Sequence, residues 1–95
     1  MTESELQRRI VSWLNKQPKT FAAKIHGGPH QVAGLPDIVM CREGRFYGLE
    51  VKLPGKEKTL TPRQRSKIKK IRQAGGWSAV VTSLEDVTTL LGMGE

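Results

Sequence analysis

Asp37, Glu50 and Lys52 are charged residues at positions where their chemistry would count. Asp37 follows Pro36 and opens the apolar run Ile38-Val39-Met40, while Glu50 and Lys52 lie two apart in a second β-like run, Leu49-Glu50-Val51-Lys52. Side chains alternate along a strand, so Glu50 and Lys52 project from one face while Leu49 and Val51 face the other way. A reversal at Glu43-Gly44 makes the two runs an antiparallel hairpin and brings Asp37 near Glu50. Two carboxylates and one ammonium then share one patch of sheet. Carboxylates held together repel, and at least one takes up a proton unless a cation sits between them. A divalent ion relieves that repulsion, and Mg²⁺ is commonly held by one or two carboxylates plus water and phosphate oxygens. A lysine beside such an ion can orient or deprotonate a water, or steady charge developing on a phosphate. These groups suit phosphodiester hydrolysis. The residues also admit a plainer reading, with Asp37 as a turn residue after proline and Glu50 and Lys52 as a solvated pair.

Pro36-Asp37, twelve intervening residues and then Glu50-Val51-Lys52 resemble the Pro-Asp…(Asp/Glu)-x-Lys nuclease signature. Gly34-Leu35-Pro36-Asp37-Ile38, Leu49-Glu50-Val51-Lys52 and Leu60-Thr61-Pro62-Arg63-Gln64-Arg65, in that order, are similar to the small stand-alone form of the VRR-NUC family. The likeness covers nearly the whole chain. It implies a restriction-endonuclease-like α/β core and a metal-dependent, structure-selective DNA endonuclease of the Holliday-junction-resolvase kind, working as a homodimer on branched DNA. Under the resemblance, Asp37 and Glu50 hold Mg²⁺ or Mn²⁺, the Val51 carbonyl is a further ligand, and Lys52 positions or activates the attacking water. Such nucleases often supply an acid from the first helix. Glu3 matches it and completes the acidic cluster, with Glu5 as the alternative and a dipole-matching surface acid as the plain reading. Gln64 resembles the family's glutamine beside the metal site, where its amide would hold a water or a phosphate; a local helix cap is the other reading. Two rival functions remain: a flap or nicking nuclease without junction preference, and a DNA-binding module without catalysis. The intact Asp37, Glu50 and Lys52 speak against the second.

Ninety-five residues, 37% of them hydrophobic, make one nuclease-type domain over 1–95. No apolar run approaches the ~18 residues of a membrane span, and the start lacks a signal peptide's regions, so a cytoplasmic protein is expected. The single Cys41 excludes an internal disulfide and a cysteine zinc cage, and its apolar run suggests a buried thiol. Sixteen Lys and Arg against nine Asp and Glu give a net charge of +7, so a polyanion is the natural partner. The charge is also segregated: Arg63, Arg65, Lys67, Lys69, Lys70 and Arg72 crowd one segment, whereas residues 84–95 carry only acids.

The elements that must position these groups read α–β–β–β–α–β–α. Residues 3–16 form an amphipathic helix capped by Thr2 or Ser4, with Leu6, Ile10, Trp13 and Leu14 on its apolar side. Glu3 falls on that stripe, Gln7 lies at its edge and Glu5 points away. Thr20–Ile25 is a short strand. The loop His26-Gly27-Gly28-Pro29-His30-Gln31 precedes the site, where Gly27 and Gly28 would admit a phosphate backbone and His26 or His30 could touch it; a histidine metal site is a weaker reading. Lys56 and Lys58, after the second hairpin strand, are phosphate contacts or ordinary loop lysines. Thr61-Pro62 opens a basic helix that stops at Ala74-Gly75-Gly76, with Gln64, Ile68 and Ile71 facing inward and its remaining surface suited to DNA backbone. Trp77–Thr82 reads as a buried strand, Ser83 caps a closing helix over Leu84–Leu91, and the end from Gly92 is expected to fray. A strand–helix–strand crossover is normally parallel and right-handed, so the sheet is mixed with helices on its faces. A Lys and Arg surface binds phosphates and reads no bases, so specificity for DNA shape is expected over specificity for sequence.

Overall fold

The computed structural model describes residues 1–92. The expected order is observed: α1 (Glu3–Leu14), β1 (Thr20–Lys24), β2 (Ile38–Arg42), β3 (Arg45–Val51), α2 (Pro62–Gln73), β4 (Trp77–Val81) and α3 (Leu84–Leu90). A 3₁₀ turn at Glu57–Thr59 precedes α2. The strands form one mixed sheet in the order β1-β2-β3-β4, antiparallel through the first three and parallel between β3 and β4 across the α2 connection.

Local chemistry explains the boundaries. Thr2, rather than Ser4, caps α1: its hydroxyl accepts from the Glu5 N–H, and the Glu5 carboxylate accepts from the Thr2 N–H. Thr61 and Gln64 build the same reciprocal cap on α2, with Pro62 inside the first turn. The β2–β3 hairpin turns on Glu43 (φ 52°) and Gly44 (φ 81°), so Arg42 lies opposite Arg45. Two successive positive φ angles give a turn whose twist matches that of the strands.

Leu6, Ile10 and Leu14 of α1 pack with Val87 of α3 against Ala22, Ile38, Met40, Tyr47, Leu49, Val51 and Val81. That face of the sheet is the core. The Asn15 side chain ties α1 to β1 through two bonds to the Ala22 backbone. On the opposite face α2 packs over β3 and β4, and Gly48 of β3 has no room for a Cβ between Pro36 and Ile71.

Three expectations are corrected. Cys41 is exposed, because strand alternation sends Ile38 and Met40 into the core and turns Cys41 to the other face, beyond the reach of α2. β4 is an edge strand, so Trp77 is exposed while Ser78 and Val81 are buried. The first helix ends at Leu14, earlier than residue 16. Of the end expected to fray from Gly92, Gly92 itself donates from its N–H to the Thr89 carbonyl at 3.0 Å, and residues 93–95 lie outside the described residues. Among the described residues no helix is long and apolar enough to cross a membrane.

Candidate active site

The hairpin register pairs Ile38 with Leu49, so Asp37 and Glu50 are the next facing pair. Asp37 Oδ2 accepts a hydrogen bond from the Val51 N–H at 2.9 Å. The N–H and C=O of one strand residue point to the same edge, so the Val51 carbonyl is also directed toward Asp37. Glu50 retains 1% of its surface and Lys52 8%, and Lys52 Nζ lies 3.9 Å from Glu50 Oε2. Gln64 joins from α2: its Nε2 donates to Glu50 Oε2 at 3.0 Å while its Oε1 accepts from the Thr61 N–H at 2.9 Å. The cap reading of Gln64 is therefore observed, and the other end of the same amide contacts the Glu50 carboxylate.

The electrostatics follow from that packing. Burial pushes the Glu50 carboxyl up to about 8, and Asp37 adds to the rise through a hydrogen bond and its charge. The Lys52 ammonium opposes the rise without cancelling it, and repulsion from Glu3 is the smallest contribution. Glu5 behaves oppositely, since its bonds to Thr2 hold its carboxyl below the usual range. The capping box thus engages Glu5 away from the site. Glu3 is half-buried at the start of α1, and among the described residues no three His, Cys, Asp or Glu side chains gather. Glu3 acts on the pair as the weakest of the charges that raise the Glu50 carboxyl.

Two carboxylates and one outward-facing carbonyl form a donor set of hard oxygens only. It fits Mg²⁺ or Mn²⁺, which accept few protein ligands and complete their shell with water and phosphate. Lys52 offsets only part of the strain on the two carboxylates, and a cation between them would relieve the rest.

The other sequence-predicted residues surround this centre unevenly. His26, Gly27, Gly28 and His30 lie in an exposed loop, and a Cβ on either glycine would meet nothing. No packing within the protein requires those glycines. Lys56 and Lys58 are exposed in the turn after β3. Along α2, Arg63, Arg65, Lys69 and Lys70 are exposed and Lys67 is half-buried. Lys52–Glu50 is the one ion pair among the described residues, so the α2 cations have no carboxylate partner there. Arg72 is committed to structure, donating from Nε to the Ser78 carbonyl.

Some contributors escaped the sequence reading. Gly34 (φ +83°) brings the loop against the start of α2, where a Cβ would lie 2.6 Å from the Arg63 carbonyl; this close approach fixes the Asp37 segment beside Gln64. The signal was Gly34 opening the block that contains Asp37. Lys24, next in register to the site opposite Ile38, donates to Ser4 Oγ at 3.0 Å. Its signal was a charge on the same strand face as Ala22. Gln7, placed at the edge of the α1 stripe, is buried.

The chain matches no family model and no curated protein sequence. Its fold does have solved counterparts. One structure named as a VRR_NUC domain is 21% identical, covering 95% of this chain and 94% of that one at a TM-score of 0.76. A second, named as a VRR_NUC domain protein, is 20% identical over 97% and 86% at a TM-score of 0.73. Archaeoglobus fulgidus Hjc, a Holliday junction resolvase, is 19% identical over 84% and 67% at a TM-score of 0.63. The mixed sheet flanked by helices is thus the α/β fold of VRR_NUC domains and of a Holliday junction resolvase.

Proposed function

We propose that this chain is a divalent-metal-dependent DNA endonuclease, structure-selective and of the Holliday-junction-resolvase kind. The observation that carries the reading is the buried Glu50 facing the half-buried Asp37, with Glu50 pushed up to about 8 and Lys52 on the same face. Burying a carboxyl beside a second carboxylate lowers stability even with Lys52 at hand, and a catalytic cation accounts for its retention. The likeness in fold to a protein named as a resolvase supports the same class.

Asp37, Glu50 and the Val51 carbonyl would hold Mg²⁺ or Mn²⁺, with Glu3 at the rim. When bound, the ion supplies charge neutralisation at a scissile phosphate and lowers the pKa of a water. Lys52 lies beside Glu50 and positions the attacking water or stabilises negative charge growing on phosphate oxygen. The Gln64 amide holds Glu50 in its rotamer and keeps a donor at the site. The cationic face of α2, the glycine loop at His26–His30 and Lys56 and Lys58 grip the DNA backbone. Phosphate contacts position DNA without reading sequence, which favours selection by shape. A single site per chain makes symmetric cutting of two strands a task for two copies, hence a homodimer on branched DNA.

The test is cleavage of an end-labelled four-way junction and a matched linear duplex with Mg²⁺, Mn²⁺ or EDTA, beside Lys52→Ala. Paired symmetric cuts that need metal and Lys52 support the resolvase. Equal cutting of duplex or flaps keeps the nuclease and removes the junction preference. Binding without cutting under any metal overturns the enzyme and leaves a DNA-binding module.

A further inference from the structure

α2 packs on β3 and β4, leaving the outer half of its side of the sheet open. There three residues form a row across the strands: Phe21 of β1 faces Cys41 of β2, which faces Phe46 of β3. Cross-strand partners point to the same side of a sheet. That side is the one carrying α2, because Gly48, two residues beyond Phe46, abuts Ile71. Phe21 is 69% exposed and Phe46 47%, and Cys41 between them is exposed. At a strand spacing of about 4.8 Å the two rings stand roughly 10 Å apart. Next to Phe46 the sheet meets the last turns of α2 in a groove of Phe46, Ile71, Ala74 and Gly76, flanked by Lys67 and Lys70. None of the described residues lining it is acidic.

The occupant of such a surface must be apolar and flat where it meets the rings and anionic where it meets the lysines. An apolar protein segment would take the floor and leave the two ammoniums dehydrated without a counter-charge. A duplex would offer phosphates while keeping its bases stacked inside. An unpaired nucleotide offers both parts together, and aromatic side chains beside cations are a sequence-tolerant way of holding one. We propose that the Phe21–Cys41–Phe46 row is a stacking platform for unpaired bases of single-stranded DNA, with Lys67 and Lys70 on their phosphates. The proposal rests on the nuclease reading and extends it to the substrate. Phe46 is four residues from Glu50 on the same strand face, about 13 Å, or roughly four nucleotide steps at the duplex rise of ~3.4 Å. The DNA would therefore carry unpaired nucleotides a few steps from the cut, as at a fork, flap or open branch point.

Cys41 is the chain's one cysteine and sits in the middle of the row, so the unaltered protein reports on its own platform. Its alkylation by iodoacetamide is timed alone and with an oligothymidylate, an abasic oligomer of equal length, or a blunt duplex. Oligothymidylate slows the reaction at least ~5-fold, while the abasic oligomer and the duplex leave it near the free rate. Phe46→Ala combined with Phe21→Ala weakens oligothymidylate binding about 10-fold or more and leaves duplex binding unchanged. Lys67→Gln with Lys70→Gln reduces the salt slope of oligomer binding by about 1–2.

Unchanged alkylation with oligothymidylate overturns the platform, and so does equal protection by the abasic oligomer, which would mean phosphate contact alone. Protection that grows with protein concentration in the absence of DNA, with a matching rise in sedimenting mass, also overturns it and makes the row an interface between copies. The two readings separate cleanly. Metal-dependent cutting without Cys41 protection leaves the nuclease and removes the platform; protection by oligothymidylate without cutting of any DNA does the reverse.

Discussion

Leu49 and Val51 point from β3 into the core under α1 and α3, while their alternating neighbours Glu50 and Lys52 point to the side of α2, and all four are withdrawn from water. One row is apolar and gains stability from burial. The other is charged, and burial raises the Glu50 carboxyl rather than settling it. The contrast shows that burial by itself does not identify a core. What a residue contributes depends on which side of the strand it leaves and what meets it there. The inner side can be repacked from its own contacts, whereas the outer side is held against its electrostatics and needs a reason to exist.

The contrast can be tested by substituting one side at a time. Lys52→Ala is expected to reduce metal-dependent cleavage by about 10²–10⁴-fold, with little change in the urea midpoint; a midpoint that drops with the rate would make Lys52 structural. Leu49→Ala, on the other side, is expected to cost about 2–5 kcal/mol by urea unfolding, because it opens a cavity in a core that cannot collapse around it. A cost well under 1 kcal/mol would break the assignment of the inner row. The next test is pH. Glu50 has a folded value of about 8 against 4.5 for the free group. Between those values the folded state keeps a proton that the unfolded state has lost, so stability falls as pH rises, by up to ~1.4 kcal/mol per unit, and levels off above about 8. Saturating Mg²⁺ or Glu50→Gln should flatten that slope, and Glu50→Gln should raise metal-free stability at pH 8 while cleavage is lost. A slope unaffected by either change would separate the pH response from Glu50. Smallest is Thr61→Ala, which removes a helix cap for about 1 kcal/mol. Cleavage should survive within a few-fold, since the Gln64 contact to Glu50 does not pass through the threonine hydroxyl; loss of cleavage would tie cap and site together.

Much of this was legible in the sequence because it is local. Alternation along Leu49–Lys52 and the Glu43-Gly44 turn placed Asp37 against Glu50, and Thr61-Pro62 with Gly75 marked both ends of α2. The missed features depend on partners far away in sequence. Cys41 looked buried because its neighbours are apolar, yet its exposure is decided by where α2 stops across the sheet. The need for glycine at Gly34 and Gly48 comes from Arg63 and Ile71, residues that the chain reaches only after the fold has closed. The likeness put Gln64 beside the site to hold a water or a phosphate; its bond to Glu50, and the double use of the amide, became visible only when both ends had partners.

The two-residue hairpin turn also bears on the order of folding. Asp37 and Glu50 are carried by strands joined through Glu43 and Gly44, so they meet when the hairpin closes, an event of about 1–10 μs. Gln64 and β4 arrive later, through the longer α2 connection and its parallel pairing, whose loop closure is slower. The charge conflict is therefore present at an early step, with the unfavourable pair formed before the rest of its surroundings. Lower pH should then speed refolding of the metal-free protein by favouring hairpin closure, and stopped-flow folding rates for the native chain beside Glu50→Gln would register the difference.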